Sequence, residues 1–567
     1  MTRNGLDGEK TESGRAKAGR FAPDFPVSWP NLEDAARTWT MDPIHFPRPL
    51  SPLFRSLWGP AFTDGLNRAA RELLSPGFEL RVAFQNGYYY ESVEITEPTS
   101  DGALAASRVT EAALDRAIAE LMERWQQEWL PRLTTTHDRL RSADVSDGSP
   151  ALLSLLDEVE AIVREDWLIH FRIVWPSMLA MQRFDDLYAD LFGDGEEADG
   201  HALLVGHPAT STLAGIDLSD LAASARTLGL ADLILSVPPD EVLAQLEMSD
   251  AGRNLSVAIT DYLDRYGLQQ DLFDYALPTW QEDPAIAAGL LQAYLRAGVH
   301  AGADHAAAVH RADTALAAAR GRLAGYPAAI RDGFEAATAA ARAAYYLHLE
   351  HNVLIDQQGT SLTRQLLMKV GARLVEGGAV SRPDDVFMLS YDELRALATE
   401  PADRRSLVAE RWVELDRQRE LTPPPVLGNP PVDEPAVTTV ERAFLRYAGG
   451  TPPVSAAPDE LWGIPGSRGT ARGVARVAGS LDAAKGLRPG EILIAQTTLP
   501  TWTPLFALAA AVVTETGGPL SHSAIVAREY GIPAVVGAAG ATTAIRTGQV
   551  ITVDGSRGVV VLASVAP

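Results

Sequence analysis

Thr514-Glu-Thr-Gly-Gly-Pro-Leu-Ser-His-Ser-Ala-Ile-Val-Ala-Arg-Glu-Tyr-Gly-Ile-Pro-Ala-Val-Val-Gly537 follows an apolar run from Leu505 to Val513. The glycine pair Gly517-Gly518 permits a tight turn. Ser521 is a good N-cap for a helix predicted over Ser523 to Tyr530, which Gly531 and Pro533 close. His522 is thereby placed in the first turn of a helix, facing a glycine loop. Exposed N–H groups and the helix dipole at such a position disfavour imidazolium and favour bound negative charge. A neutral imidazole there keeps a lone pair able to attack phosphorus, and the same N–H groups would stabilise the phosphoryl group it acquires. The alternative is structural: His522, Ile525, Val526 and Glu529 share one helical face, so the histidine could simply begin a packed helix.

The string Gly-Gly-Pro-Leu-Ser-His-Ser-Ala-Ile-Val-Ala-Arg-Glu, followed by Gly-Ile-Pro-Ala-Val-Val-Gly, resembles the swivelling phosphohistidine domain of pyruvate phosphate dikinase and phosphoenolpyruvate synthase. The resemblance implies that His522 is the catalytic, phosphorylated residue. It also implies that Thr516, Gly517, Gly518, Ser521 and Arg528 form the phosphohistidine loop. Upstream, Gly463-Ile-Pro-Gly-Ser-Arg-Gly-Thr-Ala-Arg-Gly-Val-Ala-Arg-Val477 is similar to the entry strand of the same domain, with Arg468 where the family usually has proline.

Composition sets the limits. A chain of 567 residues, 46% hydrophobic and 22% charged, has room for several domains with substantial cores. No run of eighteen apolar residues predicts a membrane span. The absence of cysteine excludes disulfides and thiolate chemistry. A cytoplasmic location is the default expectation. A net charge of −25 argues against a nucleic-acid partner.

Along the chain, residues 1–28 read as a charged, disordered leader. The four prolines between Trp39 and Leu53 impose extended backbone. Leu80 to Glu94 alternates around Asn86-Gly87, predicting a β-hairpin. From there to about residue 420 the apolar spacing is helical, including Pro284 to Ala297 and two helices between Ala303 and Arg342 broken near Gly325-Tyr-Pro327. Nine of the eleven tryptophans lie between Trp29 and Trp412. His300, His305 and His310 are spread around one helix and make no metal site; none is expected elsewhere. Leu421 to Glu460 contains nine prolines and reads as a semi-rigid linker, able to reach on the order of 100 Å if extended at about 3.1 Å per residue. After it, apolar β-branched runs alternate with short helices. The expected fold is therefore multidomain α+β. A mostly α-helical acceptor-binding domain with a small β-hairpin region (29–420) is joined by the linker (421–460) to a C-terminal β/β/α swivelling phosphohistidine domain (461–567).

His45-Phe-Pro-Arg-Pro-Leu-Ser-Pro52, Pro278-Thr-Trp-Gln-Glu-Asp-Pro284, Glu350-His-Asn-Val-Leu-Ile-Asp-Gln357 and Asp384-Asp-Val-Phe-Met-Leu-Ser390 resemble the middle region of rifampin phosphotransferase and phenylphosphate synthase. Tyr266-Gly-Leu-Gln-Gln lacks the arginine such proteins usually carry there, which leaves the substrate open. Full-length relatives begin with an ATP-grasp domain, whereas this sequence contains no Gly-x-x-x-x-Gly-Lys loop. The expectation is that no cofactor is bound by this chain, and that ATP and Mg2+ enter through a separate ATP-grasp subunit.

A phosphoryl group on His522 needs an acceptor site. Glu350, His351 and Asp356 concentrate acid–base groups within two helical turns, with His348, Asn352 and Asp356 expected on one face; a solvated polar face is the alternative. His45 is held among prolines, and His170 lies in the apolar Trp167-Leu-Ile-His-Phe171. Each is a substrate-binding candidate, or else a structural histidine. Arg364 and Lys369 are candidate phosphoryl partners or surface charges. The function these readings support is an acceptor-binding subunit of a split phosphotransferase, passing phosphate from His522 to a hydroxyl of a small, aromatic or hydrophobic molecule. The alternative is a phosphorelay protein with no small acceptor.

Overall fold

The computed structural model describes residues 25–562 except 44, 75–77, 96–99, 146–148, 194–196, 207, 299 and 430–458, of which Ala443 and Arg446 are described. Two bodies are built as the sequence patterns require. In the larger, the hairpin forms from β2 (Phe78–Gln85) and β3 (Tyr88–Ile95). Asn86 and Gly87 at φ 49° and 80° give the turn its left-handed pair. Two further strands, β1 (Thr38–Met41) and β4 (Val426–Gly428), complete an antiparallel sheet in the order β2-β3-β1-β4.

Strand β4 corrects the linker boundary. Residues 421–429 belong to the large domain, where Tyr88 donates to the Leu421 carbonyl (3.1 Å) and Tyr90 to that of Pro424 (2.8 Å). Proline-rich sequence is compatible with such a short edge strand. The leader boundary moves too: Phe25 is buried and the Ser28 amide donates to Gln85 Oε1 (3.1 Å). At the other end of the predicted linker Glu460 already begins a strand, while residues 1–24 and 430–458 other than Ala443 and Arg446 lie outside the described residues.

The helices pack around the 44-residue Ser149–Phe192 helix, whose neighbours include Pro52–Leu73 and Ala328–His351. The expected break at Gly325-Tyr-Pro327 separates Ala301–Arg322 from Ala328–His351. At its C-terminal end the latter passes directly into a π-helical segment, Asn352–Gly359, and then into Thr360–Glu376. No helix among the described residues is long and apolar enough to cross a membrane.

The C-terminal body holds β5 (Glu460–Trp462), β6 (Ile464–Ser467), β7 (Thr470–Ala478), β8 (Ile492–Ala495), β9 (Ala511–Thr514), β10 (Ala534–Val536), β11 (Val550–Asp554) and β12 (Val559–Leu562). Their order is β5-β12-β11-β7-β8-β9-β10-β6, with β7 to β10 parallel. The helix His522–Tyr530 crosses from β9 to β10. Ile492, Ile494, Val513, Val535 and Ile551 fill a core of their own. Leu505, Phe506, Leu520, Ile525 and Val526 instead join the apolar core of the helical body. The two bodies are thus packed together, with the His522 helix at their junction.

Candidate active site

The loop before His522 is fixed by its own polar groups. Gly517 at φ 99° adopts a conformation that side chains rarely reach. Thr514 Oγ1 donates to the Thr516 carbonyl (2.8 Å), and Thr516 Oγ1 to that of Gln496 (2.9 Å). Ser521 is the N-cap and accepts from the Ala524 amide; Gly531 closes the helix in the left-handed region. Arg528 is buried on the inner face of this helix and donates through Nε to Gly466 O (2.8 Å) and through its guanidinium to Pro519 O. It ties the glycine loop to β6 from behind, so its role is to shape the loop.

His522 itself sits at the first helical position, its Nε2 3.1 Å from Thr503 Oγ1. Its Nδ1 is enclosed and has no hydrogen-bond partner among the described residues. Burial holds the imidazole down to a pKa of about 3, so the ring is neutral and carries a lone pair at any physiological pH.

The helix is clamped to the large domain. Tyr345 donates to the Ile525 carbonyl (2.9 Å), Thr212 Oγ1 bonds the Glu529 carboxyl, and Trp502 Nε1 reaches Asp271 Oδ1 (3.3 Å). These contacts direct His522 to a group of imidazoles in the large domain. His348 is buried, and its pKa is pushed well below the usual range, first by burial and then by His351, His170, His522 and His45. His348 thus lies within electrostatic reach of four other imidazoles.

His170 and His351 stand on two of the long helices. His170, from the Ser149–Phe192 helix, has Nδ1 2.9 Å from Asp356 Oδ1. Its ring lies 4.7 Å from that of His351 in an edge-to-face arrangement. The His351 Nδ1 is 2.8 Å from Leu347 O; a carbonyl can only accept, so Nδ1 carries the proton and Nε2 the lone pair. Burial, followed by the neighbouring His170, lowers His351 to about 4. Trp167 and Phe171 flank the His170 ring at 4.7 and 4.8 Å.

The π-helical segment explains why His351 and Asp356 converge. Residues five apart diverge around an α-helix, but a π turn, closed by i→i+5 hydrogen bonds, stacks them. The face predicted for His348, Asn352 and Asp356 spans the point where the α-helix gives way to the π segment at Asn352.

His45 stands on the proline-rich segment. Burial disfavours its charge, but Asp42, 2.6 Å away, together with Asp356 and Glu91, raises it to about 9. His45 is therefore an imidazolium. Glu91 is raised to about 7 by burial and by Asp42, and accepts from Tyr89 (2.9 Å).

His170, His351 and Asp356 are thus brought together, with His45 within electrostatic reach of Asp356. Glu350 is not with them: its carboxylate accepts from the Thr210 amide (2.5 Å) and hydroxyl (3.1 Å), binding the start of the Thr210–Thr227 helix. One residue before His351 on a helix, it necessarily points elsewhere. Arg364 is buried, paired with Glu282 (2.9 Å) and Tyr275 O (2.5 Å), and Lys369 donates to Arg141 O (3.0 Å). Both are structural. Sequence reasoning missed Asp42, Glu91 and Thr503. Asp42, three residues before His45, was the one with a legible signal; Glu91 and Thr503 come into place only through tertiary contacts.

Residues 487–558 match the mobile domain of PEP-utilising enzymes, and residues 170–349 match the fourth domain of rifampicin phosphotransferase. The chain thus carries a PEP-utilising mobile domain behind a segment of the rifampicin phosphotransferase type. Its PEP-utilising mobile domain contains His522, and the rifampicin phosphotransferase-type domain contains His170 and His348. Chondramide synthase of Chondromyces crocatus is 36% identical over 95% of this chain and 14% of its own length. The Bacillus subtilis phosphotransferase YvkC is 26% identical over 91% of this chain and 60% of its own. Rifampicin phosphotransferase of Streptomyces sviceus is 32% identical over 70% and 44%. The chain thus spans only part of the length of each of these relatives.

Proposed function

We propose that the chain is the carrier and acceptor-binding part of a phosphotransferase, in which His522 is phosphorylated by a separate ATP-grasp subunit using ATP and Mg2+. The mobile domain then docks on the helical domain and hands the phosphoryl group to a hydroxyl of a small aromatic or hydrophobic molecule. In that step the N–P bond to His522 breaks as a P–O bond to the acceptor forms. The imidazole regains its lone pair, and the hydroxyl proton passes to the histidine–carboxylate group or to solvent. The observation that carries the reading is the position of His522: neutral, buried at the domain junction, and within electrostatic reach of His348 in the helical domain.

Positioning and charge neutralisation are most of what phosphoryl transfer asks of a protein. A carrier histidine buried against the helical domain, whose His170 is flanked by Trp167 and Phe171, supports a small acceptor over a protein one, and so disfavours the phosphorelay alternative. The rifampicin phosphotransferases among the relatives are named for transfer to such a small molecule. The two matched segments lie in the parts to which this reading gives the carrier and acceptor roles.

The test is incubation of the chain with labelled ATP, with and without a candidate ATP-grasp partner, followed by a screen of phenols and alcohols. Acid-labile label on wild type but not on His522→Ala, appearing only with the partner and discharged by an acceptor, is the expected result. Labelling from ATP alone rejects the split arrangement. Label that no small hydroxyl compound discharges rejects the acceptor assignment.

A further inference from the structure

We infer that His170, His351 and Asp356 hold a divalent first-row transition cation, of the Mn2+ to Zn2+ type, at the acceptor end of the site. The inference rests on the carrier reading above for its purpose, but on geometry for its existence. One ligand atom from each of the three residues lies within 4.8 Å of the other two. The 2.9 Å between His170 Nδ1 and Asp356 Oδ1 is close to the separation of two ligands set at right angles around a metal, about 3.0 Å for bonds of about 2.1 Å. The third donor is already oriented: the Leu347 carbonyl fixes the His351 proton on Nδ1 and leaves Nε2 for the metal. A second hydrogen bond of this kind behind a histidine ligand is the usual anchoring of metal sites. His170 would bind through Nδ1 with its proton on Nε2.

Two imidazoles and one carboxylate on one side of an ion form a donor set suited to such cations, whereas Mg2+ prefers an all-oxygen shell. Three protein ligands leave positions open on the remaining side. An acceptor hydroxyl bound there would lose its proton more readily, and a phosphoryl oxygen on His522 would find a positive partner. The site has use for that charge: apart from His45, nearby basic groups are engaged elsewhere, Arg172 with Glu72, Arg364 with Glu282 and Lys369 with the Arg141 carbonyl. The grouping is invisible to spacing rules, since His170 and Asp356 stand 186 residues apart.

The experiment is Mn2+ binding to the full-length chain after removal of metals by chelator. Stoichiometry and affinity are read by calorimetry, and the ligands by pulsed electron paramagnetic resonance on the unmutated protein. An acidic chain collects Mn2+ on surface carboxylates, but among the described residues this is the one candidate ligand group with two imidazoles. We expect one tight equivalent with coupling to two nitrogens, and affinity weakened at least tenfold in Asp356→Asn and in His351→Gln. The absence of nitrogen coupling in wild type, or affinity unchanged in both variants, overturns the inference whether or not the variants fold well. Loading of His522 by the partner is measured in the same samples. If His522 labels normally and transfer is lost in Asp356→Asn without any metal bound, the cluster acts as a metal-free His–Asp pair and the carrier reading survives. If His522 never labels, the carrier reading fails independently of the metal result.

Discussion

The neutral state of His522 depends on where its ring is placed. Burial at the domain junction brings its pKa to about 3, and Thr503 Oγ1 holds Nε2 at 3.1 Å. Replacing Thr503 by valine keeps the shape and removes the hydroxyl. A hydrogen bond of this kind contributes about 0.5–1.5 kcal/mol, so single-turnover transfer from phosphorylated protein should slow by roughly threefold to tenfold while the protein still accepts label. An unchanged transfer rate would show that Thr503 does not orient the ring. Ser521→Ala removes the N-cap of the same helix; a loss of about 1 kcal/mol is expected, measurable as a lowered urea midpoint of the C-terminal domain. His45, raised to about 9 by Asp42 despite partial burial, should keep its proton through neutral pH. In Asp42→Asn the main source of that rise is gone, and the His45 resonances should titrate at a lower pH.

Two elements carry the geometry between these residues. The π-helical segment Asn352–Gly359 holds one residue more per turn than the flanking helices, which turns Asp356 under His351. Deleting Val353 should let the segment relax to α-helix with its flanks in place. Helix content by circular dichroism should then be preserved while acceptor phosphorylation falls by at least a hundredfold, because Asp356 no longer meets His170. The other element is the Thr210–Thr227 helix, whose Gly215 lies against the Tyr530 hydroxyl, where an added methyl would collide. Alanine is the better helix former by about 1 kcal/mol. Gly215→Ala should therefore leave the helical domain at least as stable, yet loosen its contact with the mobile domain. Greater proteolytic sensitivity in the 430–458 segment without a lower melting temperature is the expected pair of results.

At the level of the whole molecule, docking is linked to protons at two places with opposite sign. A free His522 has an ordinary pKa near 6.5, and the docked ring about 3. Docking thus releases a proton below pH 6.5 and weakens about tenfold for each unit of acidification through that window. Glu529 is raised from 4.5 to about 7 by burial, with Glu350 adding to the rise and Thr212 opposing it. Docking therefore takes up a proton between those values and weakens as pH rises through them. The two effects oppose each other from about pH 5 to 6.5, so wild-type docking should vary little there. In Glu529→Gln only the histidine remains, and docking should strengthen about tenfold per unit from pH 5 to 6.5. The absence of native cysteine allows one engineered thiol per domain for an energy-transfer measurement of the docked fraction.

Local pattern sufficed for the fold class, because periodicity and turn chemistry act over a few residues. The Asn86-Gly87 hairpin, the break before Pro327 and the Ser521-capped helix carrying His522 were all legible that way. The same locality explains the misplaced boundaries. Residues 421–429 were assigned to the linker because their prolines said extended, while their pairing partner, Thr38–Met41, lies almost four hundred residues earlier. Sequence groups His351 and Asp356 with Glu350 and names His45 and His170 apart from them, but cannot join His170 to that pair or set Glu350 aside. Their convergence depends on the packing of the two long helices that carry His170 and His351 and on the extra turn width of the π segment. Each is a contact between distant parts of the chain, set by packing, on which local spacing is silent.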